Sequence, residues 1–206
     1  VTQPKLILHG TPLSGHSHRV GLLLSMLHLP YQFQDADGAY RGTDAFRQLN
    51  PLGQVPVLQD GDLVLPDSNA ILVYLARRYA PGSHWLPDGA VDAAQVQRWL
   101  SIAAGELRRG PAAARMAALW GMDEDPQRAA VIAGQLLAVM DTHLAGRRFL
   151  ATDQPTIADL ACYSYVAHAP EGGIALEPYG NVLAWLRRVE ALPDFHAMPA
   201  FQVPQS

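Results

Sequence analysis

Cysteine is nearly absent. The 206-residue chain has one, Cys162, which excludes an intrachain disulfide and a zinc site built on several thiolates. Long charge runs are absent too. Fifteen Lys and Arg stand against nineteen Asp and Glu, a formal charge of −4, so neither nucleic acid nor an anionic membrane is an expected partner. No apolar run approaches the roughly 20 residues of a membrane span. The longest candidate, Val20 to Leu29, is broken by Gly21, Ser25 and His28. The chain shows no basic leader with a cleavage site and starts at Val1 rather than Met. A trimmed start and a cytoplasmic location are the expectations. Repeats and low-complexity tracts are also missing.

Hydrophobic residues make up 49% of the chain, enough for sizeable cores, and the pattern has two textures. From Lys5 to about Tyr79 short strands alternate with helices. Leu6-Ile7-Leu8 reads as a buried strand, and Val20, Leu23, Leu24 and Leu27 as a helical stripe. Tyr31 to Gln34 alternates like a half-exposed strand. Val55 to Leu58 and Leu63 to Leu65 read as strands joined across Asp60-Gly61, a hairpin signal. Ser68 to Tyr79 has helical spacing. This order predicts an α/β thioredoxin-like N-terminal domain over residues 1–80. A Pro- and Gly-rich linker follows at 81–88. Strand signals then vanish, and an all-α C-terminal domain is expected over 89–206. Its long helices are predicted from Asp92 to about Trp120 and from Asp125 to about Leu144, with Pro126 at a favoured first position. Shorter ones should start near Thr156 and run from Val182 to Leu192.

Four motifs carry chemistry. Ser14 lies in the turn between the first strand and first helix, five and six residues before Arg19-Val20. From the loop alone, Ser14 or Ser17 could simply cap the helix. Asn50 to Leu58 is a Pro- and Gly-rich turn running into an apolar segment that contains Pro56. Proline cannot join a ladder as a donor, so a special peptide is expected there, with a cis bond as one option. Asp67-Ser68 opens a helix, where free backbone amides hold anions, though a plain cap is the alternative. Thr156-Ile157-Ala158-Asp159 reads as a capping box with Asp in place of Glu. His9, His16 and His18 lack carboxylate or thiolate companions at ligand spacing. They read as polar loop residues, with no metal expected. Cys162 reads as an apolar helix residue.

In order and spacing these motifs, with the Pro178 to Phe195 tail, resemble the cytosolic glutathione transferases over nearly the whole chain. The likeness is to bacterial, serine-type members close to the theta and phi classes. The resemblance implies glutathione as co-substrate, with no metal. Ser14 would stabilise its thiolate, with Ser17 the other candidate. Val55 would pair with the cysteinyl unit, flanked by Gln54 and Pro56. Asp67 and Ser68 would hold the γ-glutamyl end, and Arg41 the glycyl carboxylate. Leu13, Arg108, Ala112, Arg115 and Met116 would line the site of a small, mostly apolar electrophile. The resemblance also implies a homodimer and a role in detoxification. Two alternatives remain: a non-catalytic glutathione-binding or interaction module of the same fold, and a glutathione-dependent lyase, isomerase or peroxidase. Thiol-transfer chemistry is disfavoured because Ser14, not a cysteine, occupies the loop.

Overall fold

The computed structural model describes residues 6–201. Its first half is a four-stranded mixed sheet of β1 (Leu6–Gly10), β2 (Tyr31–Asp35), β3 (Val57–Asp60) and β4 (Leu63–Pro66). The strand order is β2-β1-β3-β4, with β1 parallel to β2, and with β1–β3 and β3–β4 antiparallel. Helices α1 (Gly15–Met26) and α4 (Ser68–Tyr79) pack against each other and bury the stripe Val20, Leu23, Leu24, Ile71 and Leu75 with Leu6 and Leu8 of β1. This is the thioredoxin-like arrangement that the element order implies.

Three local expectations change. The segment between β2 and β3 holds two short helices, α2 (Gly38–Arg41) and α3 (Asp44–Leu49), capped by Asp37 and Thr43. They bury Phe46 against Ala36 and Val57 in a separate small cluster. β2 is the sheet edge and is mostly exposed, with Phe33 at 41%. The strand expected from Val55 starts only at Val57. Pro56 has no amide for the ladder, so pairing begins only after it; the Val55–Pro56 peptide is cis.

The second half is helical: α5 (Ala90–Ala104), a π-turn (Arg108–Ala112), α6 (Ala113–Trp120), α7 (Pro126–Leu144), α8 (Ile157–Ala167) and α9 (Gly180–Glu190). The single helix expected from Asp92 to Trp120 is therefore three pieces. Gly105 ends α5, and Pro111 sits inside the π-turn, where its missing N–H and its ring preclude a regular α ladder. Ala103, Leu107 and Ala112 stay fully buried across the break, so the apolar rhythm continues and hides it. Gly110 lets the turn cross α7 closely: a Cβ there would stand 2.8 Å from the Ala133 amide.

Helix α8 joins the two halves. Every residue from Ile157 to Val166 is buried, and the helix packs on α1, α5 and α9. The linker is fastened beneath it: Trp85 and Leu86 are buried, and the Trp85 carbonyl accepts from Ile157 N at 2.9 Å. The expected capping box is present. The Thr156 hydroxyl accepts from Ala158 N at 3.2 Å, and Asp159 accepts from Thr156 N at 2.8 Å. Losing such a cap costs about 0.5–2 kcal/mol, and Thr156 is fully buried. Thr156→Ala should therefore lower the melting temperature by about 4–8 °C, given roughly 2–4 °C per kcal/mol at this size. Ligand binding by the folded fraction should be unchanged. A melting curve identical to wild type would reduce the box to a local contact without energetic weight.

Candidate active site

A cleft of about 1010 Å³ opens where the β1–α1 turn, the segment before β3 and the start of α4 face α5, the π-turn, α6 and α8. That size suits a peptide-like ligand together with a second small molecule.

Ser14 sits at its mouth as the N-cap of α1, its hydroxyl accepting from Ser17 N at 3.2 Å. Capping occupies one lone pair and leaves the hydroxyl proton free. The cap role and the site role therefore coexist in one side chain. Ser17 faces inward instead: it is 3% exposed and its Oγ accepts from Thr11 N at 3.3 Å. The helix dipole adds positive potential at Ser14.

Across the cleft, Asp67 is the N-cap of α4. Its carboxylate accepts from Asn69 N and Ala70 N, both at 2.9 Å. Its φ of 76° is a left-handed conformation, costly for a non-glycine residue and frequent at ligand sites. Ser68 opens the helix and is buried, and Arg19 donates to its Oγ at 3.3 Å and to Asn69 Oδ1 at 3.1 Å. Arg19 is itself completely buried, with Nε and Nη2 unpartnered among the described residues. With the Asn69 and Ala70 amides taken by Asp67, the α4 N-terminus offers the Ser68 amide and hydroxyl with a cation beneath them, a carboxylate-binding arrangement.

Gln54, Val55 and Pro56 form the floor between these two helix starts. The Gln54 carbonyl accepts from Asn50 Nδ2 at 2.9 Å, which fixes the loop, and Val55 lies just outside the paired part of β3. Arg41 reaches the cleft from α2, and its Nε donates to the Asp37 carbonyl at 3.3 Å.

Leu13, Arg108, Arg115 and Met116 line the opposite wall. Arg108 donates to Glu124 at 3.0 Å. Arg115 lies mostly behind the surface at 1% exposure. It pairs with Glu171 and donates from Nη1 to the Leu13 carbonyl at 2.8 Å. It thus ties the Ser14 loop to the helical half more than it offers a free cation. Ala112 does not belong to the wall. It is completely buried within the π-turn, because the turn rotates its side chain away from the face a continuous α-helix would present.

Several lining residues escaped the sequence reading: His16, Asn69, Met122 and Tyr165. The three N-terminal histidines are not loop residues. His9 lies buried in β1 on Gln59, and His18 is buried in α1 against Ser164 and the His196 carbonyl. His16, in the first turn of α1, lines the cleft with Nδ1 3.4 Å from Ser68 Oγ. Burial, then the charges of Arg19 and Arg108, hold it well below its ordinary range, so it is neutral at pH 7. Burial pushes the Cys162 thiol up to about 12, which removes it from thiol chemistry. Only a neighbour of the motif, such as Asn69 after Ser68, carried any signal in the sequence. Met122, just past the end of α6, and Tyr165, inside the buried α8, belong to no local pattern.

Two family models match: the glutathione S-transferase N-terminal domain over residues 8–83, and the C-terminal domain over residues 121–193. The chain is 33% identical to glutathione S-transferase 3 of Zea mays over 205 residues, covering 92% of this chain and 91% of that protein. It is 34% identical to glutathione S-transferase theta-1 of Bos taurus over 163 residues, 72% of this chain but only 66% of that relative's length. The theta-class glutathione S-transferase of Xanthomonas axonopodis pv. citri, solved with glutathione bound, superposes with a TM-score of 0.83. It shares 28% identity, covering 93% of this chain and 95% of that one.

Proposed function

Since the chain belongs to the glutathione S-transferase family, we propose that it joins the thiolate of glutathione to small, mostly apolar electrophiles. The observation that carries this reading is the cleft itself. Its two helix N-termini face one another, one presenting the Ser14 hydroxyl and the other Ser68 above the buried Arg19. Glutathione bound in a theta-class relative supports the same ligand here.

In this reading Ser68 and its amide take the γ-glutamyl carboxylate and Asp67 its amine. Val55, between Gln54 and Pro56, pairs with the cysteinyl unit, and Arg41 takes the glycyl carboxylate. Ser14 donates to the sulfur. A free thiol near pKa 8.5 is then shifted by a charged hydrogen bond of roughly 1.5–3 kcal/mol and a helix-dipole contribution of about 0.3–1 kcal/mol. The sulfur loses its proton to water and attacks an electrophilic carbon held against Leu13, Arg108 and Met116, with Arg115 supporting the wall; either a leaving group departs with its electron pair or the π pair of the electrophile takes up a proton from water. Further acceleration comes from holding that carbon close to the sulfur.

The reading divides the chain at 1–80, 81–88 and 89–206, supported by the two matched ranges. It places the protein in the cytoplasm, where glutathione is kept as the thiol, as a homodimer that clears reactive electrophiles. No helix among the described residues is long and apolar enough to cross a membrane.

The test is a conjugation screen over several electrophile classes with a glutathione titration alongside. Glutathione binding with turnover on at least one class is expected. Binding without turnover on any would favour the non-catalytic module, and no binding would overturn the reading. The Arg41 assignment has its own check. Arg41→Ala should weaken glutathione binding by about tenfold, the loss of roughly 1.4 kcal/mol, yet spare γ-glutamylcysteine, which lacks the glycine. Equal weakening of both ligands would place the arginine's role elsewhere.

A further inference from the structure

We propose that the Tyr165 hydroxyl is a second donor to the glutathione sulfur, acting beside Ser14 as a catalytic residue supplied by the helical half. This rests on the glutathione transferase reading above and adds to it a group from α8 that no motif of the N-terminal half contains.

Tyr165 is 5% exposed and lines the cleft. Its ring lies directly on the first turn of α1. A Cβ at Gly15 would stand 2.9 Å from Cζ, the carbon that carries the hydroxyl. Only glycine after Ser14 leaves room for the phenol there. The His16 ring meets it edge-on at a centroid distance of 4.9 Å, and the Arg19 guanidinium lies 5.9 Å from its centroid. The ring is thus held on three sides.

Hydrogen-bond accounting then fixes what the hydroxyl can do. A phenol has one proton to donate and lone pairs that accept. The His16 main-chain N–H, at the start of α1, favours negative charge on it. Among the described residues no acceptor engages its own proton. Ser14 is in the same position: Ser17 N–H donates to its oxygen, and its proton is free. Two hydroxyls therefore sit at one helix N-terminus, Ser14 as its cap and Tyr165 against Gly15, each with a proton to give. An anion in front of α1 accepts from both. Burial pushes the phenol up from its ordinary value, with Arg19, Arg115 and Arg108 pulling the other way, so it remains protonated and a donor at neutral pH. In the reaction both hydroxyls keep their protons. The thiol proton leaves to solvent, and the sulfur lone pair forms the new carbon–sulfur bond as the electrophile's leaving group departs with its electron pair or, in an addition, as its π pair takes up a proton from water.

The experiment compares wild type, Tyr165→Phe and Tyr163→Phe. Tyr163 is the control, since its hydroxyl bonds Glu190 at 2.9 Å on the same helix but away from the cleft. Ultraviolet thiolate absorbance of the glutathione-saturated protein is followed against pH, together with glutathione Kd, kcat and KM. Tyr165→Phe should raise the bound thiol pKa by about one unit and cut kcat at neutral pH by about tenfold. The rate should recover as pH rises above the new pKa, with KM for glutathione and Kd unchanged. Tyr163→Phe should move none of these. Gly15→Ala reaches the same end without deleting the hydroxyl, by forcing the ring off α1, and should also raise the thiol pKa. A wild-type thiol pKa in Tyr165→Phe with glutathione still bound overturns this inference and leaves the functional reading standing, as does an equal shift in Tyr163→Phe. If Tyr165→Phe does not fold, an unchanged pKa in Gly15→Ala overturns it. If wild type binds no glutathione, the functional reading falls and the inference with it.

Discussion

Ser14→Ala should lower turnover at neutral pH by about ten- to a hundredfold while leaving glutathione affinity nearly unchanged. The substitution removes one hydrogen bond to a charged sulfur, about 1.5–3 kcal/mol, which corresponds to a rise of about one to two units in the bound thiol pKa. Affinity is spared because the peptide is gripped elsewhere, at Val55 and at Ser68 on the α4 N-terminus. The sign of the pH effect is definite. A depressed thiol pKa means that the wild type holds thiolate at neutral pH, and the variant should regain rate as pH climbs through its raised pKa. Ser17→Ala should act differently. Ser17 is buried and bonds the Thr11 amide, so it should cost stability before it costs chemistry. The measurement is thiolate absorbance against pH for wild type and both variants. A thiol pKa that moves only with Ser17→Ala would mean that the wrong serine has been assigned.

The largest loss of stability is expected not at the cap residue but at its partner. Asp159 is completely buried, and its two oxygens accept four hydrogen bonds. Leu150 N and Trp185 Nε1 reach Oδ1, both at 2.9 Å. Thr156 N at 2.8 Å and Thr156 Oγ1 at 3.2 Å reach Oδ2. Asp159→Ala leaves these donors buried and unpaired, and each orphan costs roughly 1–3 kcal/mol. Neighbouring losses are not additive. About 3–5 kcal/mol is the expected total, a fall in melting temperature of about 10 °C or more. Asp159→Asn should recover little, since its amide group would face donors with a donor. In the double variant with Thr156→Ala the two costs should sum to less than their separate values, because both break the same network. A loss below about 1 kcal/mol for Asp159→Ala would mean that water or a rearranged loop satisfies those donors.

The capping box shows how far local sequence reaches. Thr156 and Asp159 were legible because a capping box is a four-residue pattern whose partners are fixed by helix geometry. That Asp159 also holds Trp185, twenty-six residues on, and Leu150 was not legible. Those contacts depend on how α9 and the 144–156 segment fold over α8. The site follows the same division. Ser14, Asp67 and Ser68 announce themselves because helix starts select such residues. Gln54, Val55 and Pro56 stand out because proline is misplaced in a strand. Met116 and Arg108 come to the cleft as a helix-facing argument expects, whereas Ala112 does not. The π-turn around Pro111 shifts the facing of residues by an amount that 3.6-residue periodicity does not contain.

By itself, then, the sequence determined the elements with strong local grammar: the β-α-β and β-β-α order, the helical second half, both helix starts that flank the cleft, and the box that opens α8. Each is decided within a few residues, by periodicity, by turn chemistry or by a cap. The tertiary structure decided what those elements face. It put Arg19 beneath Ser68, turned Ser17 inward, tied Arg115 to the Leu13 carbonyl, and laid Tyr165 on Gly15, 150 residues away in the chain. Such contacts arise from the docking of α4, α6 and α8 against α1 and the turn before it. Their residues have no partners until that packing supplies them, and no local pattern encodes which face meets which.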